Sequence, residues 1–191
     1  MAIDVSTAPN NTVINLLGGN IYGNIDDQIG DVINVTTART SFDGIIDPEC
    51  MPPAYDNAVT SACGQSVLNI NAGGELFLRD NPFNNINYDG PSYAFVNTLN
   101  IAADGTIVFE LPTSSVGGTQ PIGTYPQVFA DVANLSGTLL VHPNTSNGVF
   151  ADNYFFDNVI DANTRNGTFD TCGLDGTYAD SALLTLTCVY D

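Results

Sequence analysis

The chain has 191 residues, 21 of them acidic against three arginines (Arg39, Arg79 and Arg165) and no lysine, a formal net charge of −18. That balance repels phosphate backbones and anionic membrane surfaces, which excludes nucleic acid and lipid headgroups as expected partners. Charged residues make up only 13% and hydrophobic ones 43%, so the chain does not have the dense charge of a disordered acidic tail and is long enough for one folded unit with a sizeable core.

No stretch reaches the roughly 18 apolar residues of a membrane span, and Met1-Ala2-Ile3-Asp4 lacks the basic start and apolar core of a signal peptide. A soluble chain is expected, any export signal having been removed. The polar residues are mainly Asn, Thr, Ser, Asp and Gly, which suit turns and exposed strand faces better than helices.

Taken in chain order, the strongest signal is a glycine followed by an alternating apolar strand. It appears as Gly74-Glu75-Leu76-Phe77-Leu78, Gly105-Thr106-Ile107-Val108-Phe109 and Gly137-Thr138-Leu139-Leu140-Val141, with looser copies at Gly44 and Gly167. The five glycines are spaced by 30, 31, 32 and 30 residues. A second strand precedes each central glycine: Val67-Leu68-Asn69-Ile70, Thr98-Leu99-Asn100-Ile101 and Val128-Phe129-Ala130-Asp131-Val132. Between the units lie Pro-rich excursions, Asp47 to Ser66, Asp80 to Val96 and Pro112 to Pro126, which read as loops because proline cannot donate to a strand ladder.

Period-two alternation at a recurring spacing predicts an all-β chain, a right-handed parallel β-helix with capping C-terminal strands; the alternative is a β-sandwich. Repetition of inward positions at near-constant spacing favours the solenoid. One elongated domain over 1–191 is expected, with long-looped rungs over 1–97 and better-patterned rungs and a cap over 98–191. The predicted core is Leu68, Ile70, Leu76, Leu78, Leu99, Ile101, Ile107, Phe109, Leu139 and Val141.

Cys50, Cys63, Cys172 and Cys188 form two pairs separated by 13 and 16 residues, without a CxxC and without a histidine near either pair. Local disulfides Cys50–Cys63 and Cys172–Cys188 rank ahead of free thiols, and metal ligation ranks below both. Disulfides imply an oxidising compartment.

Chemistry-bearing groups are few. The single histidine, His142, lies in Val141-His142-Pro143 and reads as a surface loop residue rather than a catalytic base, no serine standing in a G-x-S-x-G. Chance pairs of carboxylates are expected among 21 acids, and the absence of Trp argues against a sugar cleft. Tyr154-Phe155-Phe156-Asp157 reads as a core-filling strand or cap. Asn24 to Asp31 and Asp152, Asp157 and Asp161 offer hard oxygens for calcium but match no EF-hand, so a solvated turn is the simpler reading. Sequons at Asn10, Asn34, Asn134, Asn144 and Asn166 fit an Asn- and Thr-rich composition. No catalytic residue, metal or cofactor is assigned.

Two groups of motifs go beyond periodicity. Gly18-Gly19-Asn20-Ile21-Tyr22-Gly23-Asn24-Ile25 with Gly30-Asp31-Val32-Ile33-Asn34-Val35 is similar to runs in autotransporter passengers of Gram-negative bacteria. Ala103 to Leu111, Gly123-Thr124-Tyr125-Pro126 and Leu135 to Val141 resemble the last passenger rungs before the translocator barrel. The resemblance implies a β-helical stalk segment, non-catalytic, with an autochaperone-like C-terminal half, at the cell surface after export through the periplasm. Its implied partner is a ligand on a host cell, a neighbouring bacterium or a glycan. The chain departs from the pattern in ending at Asp191 without a barrel and in carrying four cysteines. The competing functions are a carbohydrate-binding or polysaccharide-degrading β-domain and a β-sandwich interaction module.

Overall fold

The computed structural model describes residues 3–8, 11–50, 64–80, 90–113, 117–144, 153–178 and 185–190. These form six coils. The first holds β1 (Ile3–Asp4), β2 (Val13–Leu16) and β3 (Gly19–Tyr22), the second β4 (Ile25–Asp26), β5 (Val32–Val35) and β6 (Arg39–Asp43), the third β7 (Ile45–Ile46), β8 (Val67–Ile70) and β9 (Glu75–Leu78). In the fourth, β10 (Tyr93–Ile101) runs across two faces before β11 (Thr106–Pro112), and a short β12 (Gly118–Thr119) follows. The fifth has β13 (Gln127–Leu135), β14 (Thr138–Asn144) and an outlying β15 (Tyr154–Phe155), and the sixth β16 (Ile160–Gly167) and β17 (Thr171–Leu174).

Every strand pair among the described residues is parallel, and each joins one coil to the next. The chain is a parallel β-helix. A β-sandwich, built from antiparallel strands, is excluded. One sheet runs β3-β6-β9-β11-β14-β17; the other joins β2-β5-β8 and β1-β4-β7 through β10 to β13 and β16. The first three coils thus divide into two short strands what β10, β13 and β16 cover in one.

The ten predicted core residues are all buried. They stack in files: Leu76, Ile107 and Leu139 stand opposite one another, as do Leu78, Phe109 and Val141. On the other sheet the files are Ile14, Ile33, Leu68, Leu99 and Ala133, and Leu16, Val35, Ile70 and Ile101. Parallel in-register pairing puts like residues on like at every coil, so one apolar column fills the solenoid.

The glycine repeat has a physical cause at its three central members. A Cβ on Gly74 would lie 2.3 Å from the Val35 carbonyl oxygen, on Gly105 2.6 Å from that of Ile70, and on Gly137 2.3 Å from that of Ala102. The corner between the two sheets is so tight that the preceding coil's backbone occupies the side-chain position. The outer two copies are out of phase. Gly44 precedes β7, at a different corner, where its Cβ would meet the Gly23 carbonyl, and Gly167 ends β16 opposite Leu135. The position matching Gly137 in the sixth coil is Asp170, since Thr138 stands opposite Thr171.

One predicted strand is also shifted. The match to Thr98–Ile101 is Val132–Leu135 rather than Val128–Val132, because Asn100 stands opposite Asn134. Two prolines assigned to loops, or to a loop's entry, lie inside strands: Pro112 closes β11 and Pro143 stands opposite Leu111 in β14.

At the C-terminal end Leu186, Cys188 and Tyr190 pack onto the sixth coil. The Cys172–Cys188 disulfide ties this segment down, and the Phe169 amide donates to the Tyr190 hydroxyl at 3.0 Å. The cap is therefore real, but residues 185–190 form no strand. Cys63 lies outside the described residues, so the Cys50–Cys63 pairing is not seen directly; Cys50 is buried with its thiol 2.9 Å from an Asp47 oxygen.

Candidate functional site

Two files of polar side chains climb the outside of the solenoid. The first is ionic. His142 stands opposite Glu110 in the β11–β14 pair, and the residues following Phe42, Leu78 and Leu174 in their paired strands are Asp43, Arg79 and Asp175. The file thus reads Asp43, Arg79, Glu110, His142, Asp175, one residue per coil, with signs alternating when His142 is protonated.

Its contacts are direct. Arg79 Nε donates to Glu110 Oε2 at 3.2 Å, and His142 Nδ1 lies 3.1 Å from Asp175 Oδ2. Arg39 joins from the side, pairing with Glu75 and, at 2.8 Å, with Asp175 Oδ1. Burial pushes the Asp175 carboxyl up, but the Arg39 guanidinium and then His142 outweigh it and hold it below the usual range. Burial leads the upward shift of Asp43, which Glu110 reinforces and Arg79 opposes; neither Asp43 oxygen has a hydrogen-bond partner among the described residues.

Phe77 is the platform beneath this group. The Arg39 and Arg79 guanidinium carbons lie 5.0 and 5.6 Å from its centroid, and the His142 ring is centred 5.5 Å away. Tyr178 meets the His142 ring edge-on at 6.0 Å. His142 is therefore a strand residue clamped by a carboxylate and two aromatic rings, not the loop residue its sequence context suggests. Asp175 and His142 make two members of an acid–base chain, and among the described residues no serine or threonine hydroxyl bonds to the ring.

The second file is an amide ladder on the other sheet. Asn34 Nδ2 donates to Asn15 Oδ1 at 3.0 Å, Asn69 to Asn34 at 2.9 Å, Asn100 to Asn69 at 2.8 Å, Asn134 to Asn100 at 2.7 Å and Asn166 to Asn134 at 2.8 Å. All six coils contribute. Beside it runs a file of Val13, Val32, Val67, Thr98, Val132 and Thr164. This face carries no charge at any of those positions. Three sequon asparagines, Asn34, Asn134 and Asn166, spend their amides here, and Asn144 donates to Asp80 at 3.4 Å; Asn10 lies outside the described residues.

The acidic run at 24–31 is not a solvated turn. Asp31 is buried and accepts the Thr12 and Gln28 amides at 2.7 and 3.0 Å, and Asn24 Oδ1 accepts the Ile45 amide at 3.0 Å. Asp27 is 9% exposed beside the buried Ser66 hydroxyl. Burial, reinforced by the charges of Asp47 and Asp31 and opposed by the Ser66 hydroxyl, pushes its carboxyl up to about 7. Among the described residues no group of three His, Cys, Asp or Glu side chains is arranged to hold a metal ion, and no helix is long and apolar enough to cross a membrane. Asp152 lies outside the described residues. The Tyr154–Asp157 cluster divides: Phe156 packs on the core and edge-on to Tyr125, whereas Phe155 is exposed.

Sequence reasoning missed both files. The ionic one leaves no local signature, since its members are 31 to 36 residues apart in unrelated contexts. The amide ladder did leave one: an Asn at the third place of Val-Ile-Asn-Leu, Val-Ile-Asn-Val, Val-Leu-Asn-Ile, Thr-Leu-Asn-Ile and Val-Ala-Asn-Leu. No family model, curated protein or solved structure matches the chain.

Proposed function

We propose that the chain is a non-catalytic stalk segment displayed outside a Gram-negative cell, of the autotransporter-passenger kind, serving structural presentation or adhesive contact. The observation that carries this reading is the parallel β-helix itself, on whose coils most of the passenger-like motifs fall: Gly19–Tyr22 is β3, Val32–Val35 is β5, and of the three C-terminal runs two are centred on β11 and β14 while Gly123–Pro126 lies between β12 and β13. A β-helical rung is the fold the resemblance implies for those runs, which supports the reading.

Three further features support it. A disulfide-tethered cap suits export through an oxidising periplasm. The three arginines and the histidine all contact acidic, aromatic or backbone groups of the chain itself, which favours a structural role for them. A net charge of −18 points to a host-cell, bacterial or glycan ligand rather than nucleic acid.

The test is protease shaving and antibody labelling of intact cells making the full-length gene product, with a glycan array and a reducing-sugar assay on the purified chain. Surface exposure without sugar release is expected. Retention inside the cell would overturn the display reading. Sugar release abolished by one carboxylate substitution would establish a polysaccharide-degrading domain instead.

A further inference from the structure

We propose that the Asp47–Pro48 peptide bond is a self-processing site, cut in a single turnover by the side-chain carboxylate of Asp47, which divides the chain into residues 1–47 and 48–191. The inference goes beyond the stalk reading and does not rest on it. Asp47 and Pro48 form the one Asp-Pro pair in the sequence. The bond joins β7 to a short helical turn, Pro48–Cys50, and lies outside the strand ladders. Proline makes it a tertiary amide, whose nitrogen leaves as a secondary amine once it is protonated.

The backbone here is strained. Asp47 has φ 57°, and of the three left-handed non-glycine residues among the described ones it alone precedes a proline. A residue in that place is pushed toward extended backbone, so the conformation runs against two preferences at once and cleavage relieves it. The nucleophile is pinned. Asp47 Oδ2 accepts the Gly64 amide at 2.9 Å and the Cys50 thiol at 2.9 Å, while Oδ1 accepts nothing among the described residues. The Gly64 bond holds the group even if Cys50 is oxidised. The Asp47 carbonyl oxygen, which turns anionic on attack, accepts the Cys50 amide at 3.1 Å, and the Asp47 amide is fixed to the Ile25 carbonyl at 2.9 Å.

In the reaction Asp47 Oδ1 attacks the carbonyl carbon of its own residue, and the new C–O bond closes a cyclic anhydride. The tetrahedral oxyanion collapses, the C–N bond to Pro48 breaks with its electron pair going to nitrogen, and that nitrogen takes one proton. Water opens the anhydride, leaves two carboxyl groups on Asp47 and returns the proton to its donor, so one water is consumed in all. The titratable groups around Asp47 are Asp26 and Asp27 from the second coil and Glu49 and Cys50 from the helical turn. Ile25 stands opposite Ile46, which stacks Asp26 on Asp47, and Asp4 stands opposite Asp26 on the first coil. Carboxyls stacked this closely do not all ionise together. Asp27, held up to about 7 by burial first and with the Asp47 charge adding to it, is neutral on the acid side of that value and supplies the proton.

Denaturing mass spectrometry of the purified chain, incubated from about pH 4 to about pH 8, tests this. Fragments 1–47 and 48–191, together heavier than the chain by one water, are expected to accumulate fastest on the acid side of neutrality. They stay together in native chromatography, because β5–β8 and β6–β9 pair across the cut. Asp47→Ala abolishes them, and Asp47→Glu, which keeps the charge but displaces it by one methylene, slows them. Asp27→Asn slows them by about tenfold or more, as does unfolding the chain in urea at the same pH, where the strain and the Cys50 amide are lost. Melting curves confirm that the variants fold. An intact chain at every pH overturns the proposal. Cleavage that persists in Asp47→Ala, or that runs as fast in urea as in the folded chain, overturns it too, the latter marking an ordinary acid-labile bond. An unchanged rate in Asp27→Asn overturns its assignment as the proton donor.

Discussion

The side-chain amide of Asn100 donates to Asn69 Oδ1 at 2.8 Å, and Asn134 donates to Asn100 Oδ1 at 2.7 Å, so Asn100 is bonded on both sides. Inside the solenoid the neighbouring files are apolar and tolerate substitution by size alone. The amide file does not: a one-residue slip of any strand would turn Asn inward and Leu outward. The ladder and the hydrophobic column therefore specify the same register.

Asn100→Ala breaks two amide bonds and Asn166→Ala one. The expected losses are about 2 and about 1 kcal/mol respectively, read from urea unfolding. Equal losses at the two sites would mean that the ladder contributes nothing beyond strand propensity.

Thr40 stands opposite Leu76 in an inward file, fully buried, with its hydroxyl unpartnered among the described residues. Thr40→Val keeps the shape and removes the stranded group, so it is expected to stabilise by about 1 kcal/mol. Leu76→Ala and Ile107→Ala, on the next two coils of the same file, are expected to cost about 2–5 kcal/mol each. Chemical denaturation of the three variants decides the sign and the order.

Several carboxyls are held above their ordinary range chiefly by burial: Asp27 at about 7, Asp80 at about 6, and Asp26, Asp43 and Asp161 in the same direction. An acid whose pKa is higher folded than unfolded binds more protons in the folded state between those two values. Stability therefore rises as pH falls from about 8 toward 4. Asp175, held low, acts oppositely and only below about pH 4. Melting at pH 5 should exceed that at pH 8 by several degrees, roughly 4–8 °C for about 2 kcal/mol. Asp27→Asn should remove much of the difference by raising the value at pH 8. A flat profile would place the Asp27 carboxylate in water.

What was legible in the sequence was whatever repeats locally. Glycine followed by alternating strand gave β9, β11 and β14 and the ten core residues, because a tight corner and an inward file impose the same residues on successive coils. The phase at either end was not legible: Ala38 and Asp170 hold the corner positions where Gly44 and Gly167 had been expected, since those corners are shaped differently. His142 was misread because Pro143 suggests a loop, and its clamp comes from Phe77, Asp175 and Tyr178, 33 to 65 residues away.

Gly105 tests the corner. A Cβ there meets the Ile70 carbonyl at 2.6 Å, whereas at Gly173 it would only touch a Leu140 methyl at 3.5 Å. Gly105→Ala is expected to cost about 2–3 kcal/mol, and Gly173→Ala less than about 0.5 kcal/mol. Thermal melts of both separate a backbone constraint from simple glycine usage.

The solenoid is capped at its last coil and is expected to be most stable where its strands are longest. A solenoid's stability is close to a sum of coil and interface contributions, so β10, β11, β13 and β14 should open last. Amide hydrogen exchange reads this coil by coil. The slowest amides are expected within residues 98–141, with the first coil, residues 13–22, exchanging early. Uniform protection along the chain, or slowest exchange in the first coil, would contradict the account.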